Sequence, residues 1–419
     1  MRQATPLLSS GAPRDRLPLM VLLAANGVSM TGNVMALVAI PWFVLQTTGS
    51  ASRTGLSAFF NFLPVAVAGF LGGTVVDRLG YRKTSILGDV ASGAAIAAIP
   101  LLHATIGLEF WQLLVLVFVG GLLDAPGTTA RAALIPDLAP RAGWSLERAS
   151  GLNAAVERAS RFAGAPLAGL LITVTGAANV LWVDAATFLA CAIAVAVAVP
   201  PTARVEAAGR FRYFSELREG LSFLLGNRVL RAVIFTVTAT NFLDAASVVL
   251  LPVYAKQIFE SPVALGLMLG VSGAGSIVSA LVFAKVGDRW PRRKTFAWCF
   301  LGVTVWYPAA ASFPPLFVLL GVEFLAGLAA GPINPIIDTV AYERVPNGMR
   351  GRVFGVASAL AWMAYPLGVL LAGFALESVG LRTTLLVTGA LYLAATLTLQ
   401  VNPAMREMDT TEVSTKAAA

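Results

Sequence analysis

Gly73-Thr74-Val75-Val76-Asp77-Arg78-Leu79-Gly80-Tyr81-Arg82-Lys83-Thr84 is a tight, charged turn between two long apolar runs. About 211 residues later a partial copy follows: Ala284-Lys285-Val286-Gly287-Asp288-Arg289-Trp290-Pro291-Arg292-Arg293-Lys294-Thr295. It too joins two apolar runs, and the repeat distance is about half of the 419-residue chain. Each copy sets an acid and several bases at one edge of a membrane. The pattern predicts an all-α membrane protein made of two related bundles, each with a charged hinge.

Composition agrees. Hydrophobic residues make up 57% of the chain, charged residues 12%, and the mean hydropathy is +0.77. Soluble domains carry roughly twice that charge density, so most side chains face lipid or other helices. Windows of about 20 apolar residues suffice to cross a bilayer. Twelve are expected, near 19–45, 55–76, 84–104, 110–134, 150–174, 179–199, 230–254, 262–286, 295–313, 316–341, 352–377 and 382–401. The N-terminal segment and every even-numbered connection are basic, whereas the odd connections hold little beyond Arg53, Lys256 and Arg382. By the positive-inside rule, both termini and the even loops lie in the cytoplasm of a multi-pass cell-membrane protein. The same bias accounts for the net charge of +8 without a nucleic-acid partner. Cys191 and Cys299 sit in separate apolar runs and read as buried small residues.

The expected organisation is a cytoplasmic segment 1–18, a six-helix bundle 19–199, a linker 200–229, a second six-helix bundle 230–401 and a disordered tail 402–419. In the linker, Phe211, Phe214, Leu217, Leu221 and Leu224 recur at three- and four-residue steps, the mark of an amphipathic helix on the inner membrane surface. The halves match beyond their hinges. Pro126 and Pro140 correspond to Pro332 and Pro346, and Gly169 and Gly176 are spaced like Gly373 and Gly380. Two pseudo-symmetric bundles follow, related by an axis along the membrane normal.

On these residues the chain resembles the major facilitator superfamily over nearly its whole length. The signature of that family between spans two and three is matched by Gly73, Asp77, Arg78, Gly80, Arg82 and Lys83; Tyr81 stands where many relatives have Arg. Thr129–Leu138, Val183–Phe188, Glu216–Leu221 and Arg350–Val353 look like the branch holding enterobactin exporters and macrolide-efflux proteins. The resemblance implies a cytoplasmic gate. It would be built from Gly73, Asp77, Arg78, Gly80, Arg82 and Lys83 and from Asp288, Arg289, Arg292 and Arg293 in the second half. Asp77 would meet Arg78, Arg82 or the positive N-terminal end of span eleven near Arg352. Asp338 is placed to pair with Arg292 or Arg293. Export branches also carry a glycine–proline pattern in span five, approximated by Gly164, Ala165, Pro166 and Gly169, which would let spans five and eight approach closely.

Acids at membrane depth are the candidates for coupling. Asp124, Asp244 and Glu323 lie inside spans, where a charge costs about 2.5–3.5 kcal/mol. Removing a carboxyl group from water favours its neutral form, so it can take a proton and release it when the cavity hydrates. Asp89, Asp184, Asp338 and Glu377 lie nearer span ends and read as structural. Asn33, Asn61, Asn153, Asn241, Asn334, Trp362 and Tyr365 are candidates to line a substrate cavity. Abundant Phe, and no Lys or Arg read at mid-span, point to a lipophilic, neutral or cationic substrate.

Enzymatic readings find no support. The single histidine, His103, falls at the outer end of span three, and no phosphate-binding loop, catalytic triad or His-rich metal cluster is present in the sequence. No cofactor is expected. The expected partners are a small-molecule substrate, protons and the lipid bilayer, with the chain acting as a monomer. Taken together, the resemblance and the acids imply a proton-coupled exporter of drugs, macrolides or siderophores. The alternatives are an uptake carrier or lipid flippase of the same fold, or a membrane receptor or assembly factor that kept the fold.

Overall fold

The computed structural model describes residues 15–201 and 210–409; for residues 65–78, 210–214, 216 and 288 it describes the backbone alone. In bilayer hydrocarbon every backbone amide needs an internal partner, and the described residues are helical almost throughout. The first half contains α1 (Leu17–Thr48), α2 (Ala51–Leu79), α3 (Tyr81–Thr105), α4 (Phe110–Arg141), α5 (Leu146–Thr175) and α6 (Ala177–Ala198). Each is one crossing. A linker helix, α7 (Arg210–Gly226), leads to the second half.

There the crossings are more broken. Crossing seven is α8 (Arg228–Asp244) plus α9 (Ser247–Tyr254), and crossing eight is α10 (Pro262–Val286). Crossing nine is α11 (Arg292–Thr304) plus α12 (Trp306–Ala311), and ten is α13 (Leu316–Ala330) plus α14 (Ile333–Arg344). Crossings eleven and twelve are α15 (Arg350–Met363) and α16 (Tyr365–Val401), divided at Gly380, whose φ of 79° lies in the left-handed region glycine tolerates. Three of these breaks fall within three residues of Pro308, Pro332 or Pro366. A proline lacks the amide donor and crowds the carbonyl four residues earlier, so the ladder parts there. Pro126, the counterpart of Pro332, stays inside a continuous α4. Twelve crossings in two six-helix halves therefore agree with the expectation. Both ends of the described chain lie on one face, termed the terminal face; the opposite one is the far face.

At the far face the halves approach closely enough for backbone to touch backbone. A Cβ at position 55 would stand 2.9 Å from the Cα of Gly373 and 3.1 Å from the carbonyl oxygen of Val369. A Cβ at Gly169 would stand 2.6 Å from the carbonyl oxygen of Pro262 and 3.2 Å from the Cα of Gly266. The small residues of span five thus bring it against span eight, as the glycine–proline pattern implied. Glu377 completes the seal, accepting from the Ser50 hydroxyl at 2.7 Å and the Ser52 amide at 2.8 Å. This acid, read as merely structural, joins the two halves.

At the terminal face α7 is helical where its periodicity predicts. It packs on the start of α15: Glu219 pairs with Arg352 at 2.6 Å, and Gly220 lies against the Arg352 carbonyl. Leu224 is buried, whereas Phe211 and Phe214 fall outside the described side chains. The tail departs from the disorder expected from residue 402. Pro403–Asp409 form a short 3-10 segment that buries Met405 and Met408 against the second half.

Candidate functional site

A polar cluster occupies the core of the first half. Asp89 of α3 and Arg131 of α4 are 0% and 1% exposed and pair at 2.5 Å. The Arg131 Nε donates to Asn26 of α1 at 3.0 Å, Asn26 donates to Asn153 of α5 at 3.2 Å, and Asn153 donates to Glu157 at 2.8 Å. Four helices are tied by this chain. Asp124, two α4 turns before Arg131, is 20% exposed; it accepts from Asn33 at 3.1 Å and lies 3.8 Å from the Arg131 guanidinium. Asp184 is buried on α6 beside Thr187.

Arg131 corrects the expectation that no base lies deep in the membrane. The crossing α4 runs on to Arg141, so Arg131 sits well inside it. Its charge is matched by Asp89, which is therefore part of the central cluster. The signal was available: a basic residue embedded in Thr129–Leu138 demands a buried acid on a neighbouring helix.

In the second half Asp244 ends α8 in mid-membrane, where the helix breaks before α9. Discontinuous crossings mark binding sites in transporters. Tyr392 of α16 donates to the Asp244 carboxylate at 3.4 Å and stacks near Tyr307, ring centres 5.7 Å apart. Asn241, one turn earlier, donates to the Ala361 carbonyl at 2.9 Å, tying crossing seven to crossing eleven. Glu323 is buried and accepts from the Trp306 indole at 2.8 Å, a tie between crossings nine and ten.

The cavity candidates separate in the same way. Asn33 and Asn153 belong to the polar cluster, and Asn241 is spent on backbone. Asn61 is half-buried and Asn334 exposed. Tyr365 meets Phe62 across the two halves at 4.8 Å and Trp362 at 5.2 Å, and Trp362 is 53% exposed at the middle of crossing eleven. An aromatic surface therefore spans the interface between the halves.

At the first hinge, Gly80 has φ 80° and turns the chain from α2 into α3. Arg82 donates to the carbonyl of Ala196 at the end of α6 at 2.5 Å, and Lys83 is exposed. The side chains of Gly73, Asp77 and Arg78 lie outside the described residues, as does that of Asp288. At the second hinge Arg289 is exposed, and Arg292 makes a bidentate pair with Glu343 at 2.6 and 2.9 Å. The expected partner of Arg292, Asp338, is displaced by Glu343 because Glu343 is on the last turn of α14, level with the hinge. Arg293 instead binds the Gln400 carbonyl at 2.7 Å, and its amide binds Asp409. Among the described residues no group of acids, cysteines or histidines could hold a metal ion.

Residues 9–418 match the family described as transmembrane secretion effector. The chain belongs to this family of the major facilitator superfamily. It is 34% identical over 406 residues to the multidrug efflux pump Tap of Mycobacterium tuberculosis strain H37Rv, covering 94% of this chain and 96% of the relative. It is 22% identical to macrolide efflux protein A of Streptococcus pyogenes, covering 94% and 98%. Among solved structures, a point mutant of the nucleoside transporter NupG superposes with a TM-score of 0.76 at 13% identity, over 92% of this chain and all of that one. A bacterial homologue of the human lysosomal transporter Spinster gives 0.72 at 15%, over 95% and 98%. The protein is a multi-pass membrane transporter of small molecules and not an enzyme.

Proposed function

We propose that this transporter is a proton-coupled exporter of small lipophilic compounds that works by alternating access, with both termini in the cytoplasm. The observation that carries the reading is the placing of one partly accessible carboxylate in each half, Asp124 beside Asn33 and Asp244 beside Tyr392. Each accepts from an uncharged donor at membrane depth, and the Arg131 guanidinium stands 3.8 Å from Asp124 while its close partner, at 2.5 Å, is Asp89. Glu323 is less suited, because it is buried against Trp306. The likeness to multidrug and macrolide efflux pumps supports export of drug-like cargo.

In this scheme the glycine crossings and Glu377 seal the far face in the described state. Cargo enters from the terminal face and rests against the aromatic surface of Phe62, Trp362 and Tyr365. It leaves after the hinges close and the far face parts. A proton then takes its place on Asp124 or Asp244, so that inward proton flow drives outward cargo. With no nucleotide site in the sequence, the ion gradient supplies the work, about 2.3 kcal/mol per charge per 100 mV. Proteoliposomes preloaded with a lipophilic dye test this. Release should accelerate severalfold when a pH gradient is imposed in the export direction. Equal rates with and without the gradient overturn the proposal.

A further inference from the structure

A groove of about 620 Å³ lies at the terminal face between the start of α8, the end of α16 and the segment Pro403–Asp409. It is outside the polar cluster, and its third wall adjoins the second hinge where Asp409 accepts from the Arg293 amide. On α8, Arg228, Arg231 and Phe235 follow at helical steps down one wall, with Ala232 and Ala239 beside them. Across the groove stand Ala395 and Asn402, and Glu407 lies on the rim. Phe235 is 74% exposed.

Depth decides what such a groove can hold. Arg228 is the first residue of α8, Arg231 lies one turn on, and the uncharged run of crossing seven then extends from Ala232 to Leu243. The two guanidinium groups therefore stand at the membrane–water boundary. Phe235 lies about 10 Å deeper than Arg228 and about 6 Å deeper than Arg231 at 1.5 Å per residue, at the level of acyl chains. Arg231 donates one N–H to the Leu225 carbonyl at 2.8 Å, which holds the side chain at the mouth with further donors to offer. Two cations against one carboxylate favour an anionic head, and small alanines beside an exposed ring leave a slot for an apolar tail. Burial of Met405 and Met408 fastens the third wall.

We infer that this groove is a binding site for an anionic glycerophospholipid, its phosphate at Arg228 and Arg231 and its proximal acyl chain along Phe235, Ala239 and Ala395. The lipid joins crossings seven and twelve at their terminal-face ends. Those crossings also carry Asp244 and Tyr392, so the bound lipid braces the pair that holds the candidate coupling acid.

Native mass spectrometry of the full-length protein tests the site, with phosphatidylglycerol and phosphatidylcholine of identical chains offered at equal concentration. Each arginine near an anionic headgroup contributes about a fivefold preference. The unaltered protein should retain phosphatidylglycerol preferentially, and Arg228→Gln with Arg231→Gln should reduce that preference roughly 25-fold. Ala239→Trp fills the slot without touching charge and should expel the lipid as well; it also serves if the double variant does not fold. Arg141→Gln with Arg148→Gln removes two bases from the same face away from the groove and should leave the preference intact. An equal loss in that control would mean general surface attraction and overturn the site. Displacement of the lipid by millimolar inorganic phosphate or glycerol phosphate would mean a free-anion site and overturn the lipid assignment. Retention of phosphatidylglycerol by both the arginine and the tryptophan variants would do the same.

Discussion

Replacing Gly55 by leucine should open the far face. The Cβ of residue 55 would stand 2.9 Å from the Cα of Gly373 and 3.1 Å from the Val369 carbonyl oxygen. Carbon pairs rest at about 3.5–4.0 Å, so the Cβ alone falls short by roughly 0.6 Å, and the rest of the side chain adds to this. Both neighbours are backbone atoms and cannot swing aside, so the helices must separate. Overpacking of this kind costs about 1–3 kcal/mol. The cost falls only on the state in which the halves touch, so its population should drop roughly 5- to 150-fold. Spin labels at Ile106 and Arg382, exposed on opposite halves of the far face, report the distance by electron–electron double resonance. The variant should shift the distribution to longer distances. Gly151→Leu is the control, because a Cβ there meets nothing within 4 Å. An unchanged distribution in Gly55→Leu, or an equal shift in the control, would show that the Gly55–Gly373 contact does not hold the far face shut.

Arg131→Met should destabilise the protein by about 3–5 kcal/mol, since it leaves Asp89 buried and unpaired. Adding Asp89→Leu should recover most of that loss in thermal unfolding, and no recovery would show that the pair is not the source. Asp77→Asn should abolish net transport while leaving substrate binding largely intact; pumping at the parental rate would remove Asp77 from the gate. Cysteines introduced at Lys256 and Arg382 should label from outside intact cells, and cysteines at Arg82 and Arg293 should not. The native Cys191 and Cys299 are buried and give little background. External labelling at Arg82 would reverse the proposed orientation.

The fold was legible because membrane burial writes itself into one dimension. Runs of about 20 apolar residues and basic even loops are read along the chain, and the three- and four-residue spacing of Phe211 to Leu224 marks α7. The repeated hinge and the pairing of Pro126 with Pro332 disclosed the two halves. The site was less legible because its bonds join residues far apart in sequence. Asp89 and Arg131 meet only because α3 and α4 form a hairpin with facing polar turns. Glu377 looked like a span-end acid until the first half brought Ser50 and Ser52 to it. Glu323 has the depth of a coupling acid, yet the Trp306 indole that holds it lies in a different crossing. Distance from a span end says how deep a side chain lies, and it does not say which neighbour it faces. The tail is hard to read for a related reason: Met405 and Met408 are two apolar residues in a polar segment, too few to register by composition yet enough to seat Pro403–Asp409.

The proposed coupling moves protons through the carboxylates of Asp124 and Asp244. Its most direct test is uphill transport by Asp124→Asn with Asp244→Asn in proteoliposomes, measured beside downhill exchange in the same vesicles. Exchange of cargo down its own gradient should persist, while accumulation driven by a pH gradient should disappear. Full uphill accumulation in the double variant would contradict this coupling and exclude both acids as the coupling site.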